Sequence, residues 1–294
     1  MLLLRPCIIK KMLDIDLMEL ADLHRPKDIV SEIYHQNPGW DEPVSLEELA
    51  DRCGIKEIRY ESLKGIEGAL IANDTKSEGI IVINSDARHH RRRYTLGHEL
   101  GHYLIPHHGF QMSCTSKDMS TKINKDIKMN SSQNIEAEAN EFSANLLMPE
   151  PWLNKQKCFS REPSIECIKF LADKLDVSFQ ACANRYADLH DRPVAVVFSH
   201  MLKVQYGYTG GEHPFWLRYA KRGSSIPNSS LTASLGKVDD LTFHNDECDA
   251  SLWFDENKYY CLPETCIEEV YVQEDGYIAT LLWFEDEIEE KEEE

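Results

Sequence analysis

An α+β protein is predicted, on three observations. Two stretches, residues 93–106 and 136–149, place apolar side chains at helical spacing and end at Pro106 and Pro149, the marks of amphipathic helices with proline stops. Three short runs at 57–60, 68–71 and 79–83 are extended in character and separated by Gly, Asn and Asp turn signals, which suits a small sheet packed on the first of those helices. After Pro193 the texture changes to short alternating segments, the pattern of a second, β-rich domain of mostly antiparallel strands.

In chain order, residues 1–29 read as an N-terminal extension in which Ile15, Leu17, Leu20 and Leu23 indicate a short helix. Residues 29–34 and 46–53 have helical spacing, the latter with Ser45 as cap, Glu48 three residues on and Gly54 as its close. Residues 107–133 are a long polar connection rich in Lys, Ser and Asn; such a length suits a cleft wall, a lid or an unstructured loop. Residues 171–189 have the texture of a helix-turn-helix with Ser178 as cap, and their acids point to a helical hairpin rather than a DNA reader. Strands are expected at 194–199, 202–208, 251–254, 259–262, 269–272 and 277–284, with Trp216, Trp253 and Trp283 in their core. The glutamate-rich end, 285–294, reads as a solvated, disordered tail.

The formal charge of −19, of which the last ten residues supply seven units, excludes a direct phosphate-backbone binder. Its one basic cluster, Arg88 to Arg93, suits intramolecular salt links or the guidance of an acidic peptide. Nine cysteines without a Cys-x-x-Cys pair argue against a disulfide framework and for free thiols in a reducing cytosol, with Cys167 and Cys182 in helix cores. His244, Cys248, Cys261 and Cys266 match no standard metal spacing. Arg5, Pro6, Lys10 and Lys11 interrupt the apolar start of the chain, and no stretch reaches the 18 or so apolar residues of a membrane span, so a cytoplasmic protein is expected.

The most informative residues are His98-Glu99-Leu100-Gly101-His102. Positions four apart lie on one face of a helix, so both imidazoles can reach one ion while Glu99 stands beside it as a base. A catalytic zinc site takes three protein ligands and keeps one position for water. The 136–149 helix offers the third: Glu136 and Asn140 share a face, a carboxylate followed by a group that could orient a histidine ring. Glu138 is turned about 200° from Glu136, so only one of the two can face the metal. Tyr94, Tyr103, His107 and His108 are candidate donors to a developing oxyanion.

The run from Arg91 to Tyr103 together with Glu136 to Pro149 closely resembles the ImmA/IrrE family of metallopeptidases, in which a histidine helix is followed by a Glu-x-x-Ala-Asn-x-Phe-(Ala/Ser)-x-x-Leu-Leu-Met-Pro helix. Ser143 stands where alanine is commoner. The resemblance covers about residues 30–190. It implies a zincin-like metallopeptidase core over 30–190, followed by the β-rich domain at 191–284. His98, His102 and Glu136 would be the ligands of Zn2+, Glu99 the general base and Asn140 the orienting group. It further implies a protein substrate, commonly a helix-turn-helix repressor of a mobile element or stress response. The rival expectation is a non-catalytic protein-binding regulator whose metal is structural, and a third is hydrolysis of a small molecule.

Overall fold

The helix that carries the two histidines is buried on every side over its last ten residues, Thr95 to Leu104, so it can only be the central rod of a layered unit. In the computed structural model, residues 13–40, 42–120, 130–211, 213–236 and 241–291 are described. Contacts divide the chain into Met1–Leu147 and Met148–Glu294.

In the first unit, α1 (Leu17–Ala21), α2 (Pro26–Gln36) and α3 (Leu46–Cys53) precede strands β1 (Ile55–Glu61), β2 (Gly68–Ala72) and β3 (Gly79–Asn84). Then come the histidine helix α4 (His89–Leu104), strand β4 (Gln111–Cys114) and helix α5 (Ser131–Leu147). The sequence cues act as expected at α3: Ser45 Oγ accepts from the Glu48 amide, and Gly54 takes the left-handed conformation at φ 100° that ends the helix. The sheet runs β1-β3-β2-β4, with β1 parallel to β3 and the other pairs antiparallel. Leu70, Ile81 and Ile83 turn a buried face from this sheet, and Leu96 and Leu100 of α4 are buried in the same unit, where α4 packs on β2 and β3.

Helix α5 lies on the other side of α4. Their close approach depends on Gly97, where an added Cβ would sit 2.6 Å from Ser143 Oγ. Ser143 is a departure with a use, since its hydroxyl donates to the Tyr94 carbonyl at 2.9 Å and joins the two helices. The arginines at the start of α4 oppose the positive end of its dipole. They are held by local partners instead: Arg91 by Glu67 at 3.4 Å, Arg92 by the Ser85 carbonyl and Arg93 by the Val44 carbonyl. At the other end the Lys76 ammonium donates to the His102 and Ile105 carbonyls at 2.7 and 2.8 Å, which satisfies the last turn and suits the dipole.

The long polar connection is in part a strand, β4, which the sequence reading missed because Gln111-Met112-Ser113-Cys114 is too short and polar to show alternation. It is a strand because β2 offers a free edge to pair with. Residues 121–129, the middle of the expected lid, lie outside the described residues.

The second unit contains α6 (Glu150–Leu153), α7 (Ile165–Leu175), α8 (Phe179–Leu189), β5 (Val194–His200), β6 (Lys203–Thr209) and β7 (Trp216–Leu217). Helix α9 (Leu231–Ser234) and strands β8 (Phe243–Asp249), β9 (Phe254–Asp255), β10 (Thr265–Val272) and β11 (Tyr277–Trp283) complete it. Asp176 in the left-handed region and the Ser178 cap make the turn between α7 and α8, and α8 lies on β5 and β6. The hairpin is therefore a covering layer of the sheet β6-β5-β11-β10-β8. Contacts group the hairpin with this sheet in the second unit, Met148–Glu294.

Several expectations for this unit are corrected. Residues 251–254 are mostly a 3-10 turn, and 259–262 hold only an isolated bridge, Tyr260 to Glu290. A strand not foreseen, β8, carries the polar run Phe-His-Asn-Asp-Glu-Cys-Asp and is defined by its antiparallel pairing with β10. Trp253 and Trp283 are buried, but Trp216 is 76% exposed. Cys158 and Cys167 are bridged, with Cα atoms 5.6 Å apart, where free thiols were expected; the turn before α7 brings them within the span a disulfide needs. Cys248 and Cys266 face each other across β8 and β10, while Cys261 is exposed. Part of the acidic end is paired rather than free, since the Cys261 amide donates to the Glu289 carbonyl and the Lys291 amide to that of Tyr259.

Candidate metal centre

Four buried side chains of the first unit converge: His98 and His102 from α4, Glu136 from α5 and Cys114 from the end of β4. His98 Nε2 and His102 Nε2 are 3.0 Å apart, and Glu136 Oε2 lies 3.2 and 3.5 Å from them. Cys114 Sγ stands 3.3 Å from His98 Nε2 and 3.4 Å from His102 Nε2. The expected trio is thus brought together, and a fourth group joins it that sequence reading did not single out. The available signal was a buried cysteine in an otherwise polar run twelve residues after His102.

The donor set fits a small divalent ion. Bonds of about 2.0–2.3 Å in a tetrahedron put ligand atoms about 3.3–3.7 Å apart, close to the separations here. Glu136 Oε2 is buried and makes no well-aligned hydrogen bond in spite of its nearness to both rings, an orphaned acceptor that a cation would satisfy. Burial alone would raise the Glu136 carboxyl, but its contacts with the His102 and His98 rings outweigh that and hold it down at about 2. Burial, followed by the Glu99 and Glu136 charges, pushes the Cys114 thiol far up, so without a cation it stays protonated; coordination would deprotonate it.

The rings are oriented from behind. Asn140 Oδ1 accepts from His98 Nδ1 at 2.9 Å and from the Tyr94 hydroxyl at 3.1 Å, and its amide donates to the Asp118 carbonyl. His102 Nδ1 lies 3.0 Å from His108 Nδ1, and His108 Nε2 lies 2.9 Å from Glu138 Oε2. Glu138 does face away from the four converging atoms, as the helical rotation required, but it reaches His102 through His108. Burial, then the neighbouring His102 and His107, lowers His108 to about 2, so that ring is neutral: its Nε2–H donates to Glu138 and its Nδ1 accepts from His102. That fixes the tautomer leaving His102 Nε2 free to ligate. Asn140→Ala and Glu138→Ala are each expected to weaken metal binding by about 10–100-fold without abolishing it. Competition against a chromophoric chelator measures this, and unchanged affinity in both would remove the orienting roles.

Glu99 is fully buried, and neither of its carboxylate oxygens has a hydrogen-bond partner among the described residues. Cys114 is beside it but poorly aligned. Strand β2 presses on it at Gly68, where a Cβ would stand 2.6 Å from Glu99 Oε1 and 2.5 Å from Thr95 Cγ2. Burial is the chief cause that raises its pKa to about 8, with Glu136 adding to it and Cys114 opposing. A carboxyl raised above its unfolded value binds more protons folded than unfolded, so stability falls as pH rises from about 4.5 through about 8. Metal-free protein is therefore expected to lose stability over that window by up to about 1.4 kcal/mol per pH unit from this group. Thermal melts of chelated wild type and Glu99→Gln between pH 5.5 and 8.5 test this: the variant should lose the slope, and parallel curves would refute it.

Of the other proposed donors, Tyr94 is tied to Asn140. The Tyr103 hydroxyl lies by Gly54, away from the four ligand atoms, buried without a partner among the described residues.

A helix with paired histidines, backed by a small mixed sheet and crossed by a helix bearing a carboxylate, defines a zincin-like unit. Residues 50–186 match the IrrE N-terminal-like domain of the peptidase M78 family. No curated protein matches the chain. A Mycobacterium tuberculosis transcriptional regulator of known structure shares the fold at a TM-score of 0.54 and 10% identity, over 88% of this chain and 75% of that one.

Proposed function

We propose that the chain is a zinc-dependent metalloendopeptidase acting on a protein in the cytoplasm. The observation that carries this reading is Glu99, a buried, unpartnered carboxylate beside His98, His102 and Glu136. A site built only to hold an ion has no use for such a group. His98, His102 and Glu136 would hold the ion, and Glu99 would be the base. Zinc held there would supply Lewis acidity, lowering the pKa of bound water to about 7 and polarising a peptide carbonyl. Glu99, buried next to the ion's place, would take a proton from water and return it to the leaving amine. Asn140 and the His108–Glu138 pair hold the two rings still while this happens.

The substrate proposed is a separate regulatory protein, a helix-turn-helix repressor of a mobile element or stress response. The match of residues 50–186 to the IrrE N-terminal-like domain of the peptidase M78 family supports this class. The acidic chain speaks against direct nucleic-acid binding, and no helix among the described residues is long and apolar enough to cross a membrane. Incubation of the metal-loaded protein with candidate repressors, read by intact mass spectrometry, tests the reading. A discrete cut made by wild type and not by Glu99→Gln supports it; no cut in any repressor tried, with one metal per chain bound, counts against it.

Cys114 favours a second reading. A thiolate as fourth ligand would make a closed set, the usual form of a structural metal, and the chain would then regulate by binding. The two readings part at Glu99→Gln, which should leave a binding regulator fully active.

A further inference from the structure

We infer that Cys114 is a removable fourth ligand, a latch that closes the metal centre in the resting protein and must leave before hydrolysis; this rests on the metallopeptidase reading above. Its Sγ stands 3.3 and 3.4 Å from the two histidine nitrogens, the separations the histidines and Glu136 keep among themselves. Four donors within 4.8 Å of one another are the number that a closed, four-coordinate metal site takes. With Cys114 in place there is no corner for water. With it withdrawn, the set becomes two histidines and a carboxylate with one open position, next to the buried Glu99 carboxylate.

The placement of Cys114 suits a part that moves. The other ligands sit on α4 and α5, the two packed helices of the unit. Cys114 is the last residue of β4, a four-residue edge strand paired with β2 in the described sheet. Its anchors are few: it pairs with Gly68 in the β2 register, and its carbonyl accepts from the Glu67 amide at 2.8 Å. Beyond it the chain turns at once, with the Thr115 amide and hydroxyl both donating to Asp118. The Asp118 carbonyl in turn accepts from Asn140, the residue that orients His98. A short edge strand of this kind opens at lower free energy than the helices it borders, and its displacement would withdraw the thiol without disturbing the other three ligands.

Cobalt substitution tests the latch without depending on activity. Metal content and the near-ultraviolet thiolate-to-cobalt charge-transfer band are measured on the full-length wild type, Cys114→Ala, Cys114→Ser and His98→Ala. The latch predicts one cobalt per chain in wild type with the band present. It predicts about one cobalt in Cys114→Ala and Cys114→Ser with the band gone, and loss of both in His98→Ala. Cleavage of a denatured protein substrate should rise at least several-fold in Cys114→Ala over wild type. One cobalt in wild type without the band overturns the latch and leaves the metallopeptidase reading standing. A band with cleavage lost in both Cys114 variants, though folded and metal-loaded, overturns the latch in favour of an obligatory ligand. No metal in wild type overturns both. Should the Cys114 variants fail to fold, the wild-type band and its loss in His98→Ala decide whether the thiolate ligates. In that case the latch stands only if denaturant below the unfolding midpoint removes the band before the metal, and it falls if the two leave together.

Discussion

Glu99→Gln is expected to retain one metal per chain and a wild-type melting temperature in the metal-loaded form, and to lose cleavage by about a hundred- to ten-thousandfold, the usual worth of a positioned base. The amide matches the carboxylate in shape, so the packing of Gly68 and Thr95 against it is unchanged. It cannot take a proton, so the step in which water is activated loses its acceptor. Two measurements together give the result its meaning: metal content by mass spectrometry and initial rates on a cleaved repressor. A variant that binds metal and cuts at the wild-type rate would exclude Glu99 as the base.

Glu136→Ala carries the other large effect. Metal occupancy should fall from about one per chain to well below a tenth at micromolar metal, a larger loss than the roughly 10–100-fold given up when an orienting partner is removed. Glu136 supplies the carboxylate nearest both ring nitrogens, at 3.2 and 3.5 Å. Without it the site lacks one of its negative charges. Because metal binds the folded chain, the loss also appears as a lower melting temperature in excess metal, while chelated wild type and variant should melt within a few degrees of each other. Retention of stoichiometric metal would remove Glu136 from the ligand set.

Sequence and structure contribute to this picture in different places. The HExxH spacing, the capped helix α3 and the proline stops were legible because each is a local rule: a four-residue interval puts two rings on one helix face whatever surrounds it. The resemblance in two motifs carried Glu136 and Asn140, and the structure brings both to His98. Strands β5 and β11 were legible as short apolar runs, and both are buried along most of their length.

What remained hidden depends on partners distant in the chain. Strand β4 exists because β2 has an edge to pair with, and β8 because β10 does; neither segment carries an apolar pattern of its own. Cys114 was one cysteine among nine until that pairing set its thiol against two histidines. Glu138, rotated away from the four converging side chains as helix geometry demands, is tied to His102 because His108 folds back between them. By itself, then, the sequence determined the α+β class, the histidine helix with Glu99 between its two rings and the acidic helix opposite, all written in short intervals. Tertiary structure alone decided the fourth group at the centre, the partners that orient the rings and the burial that lifts Glu99. Those are properties of which surfaces meet, and packing supplies them where spacing cannot.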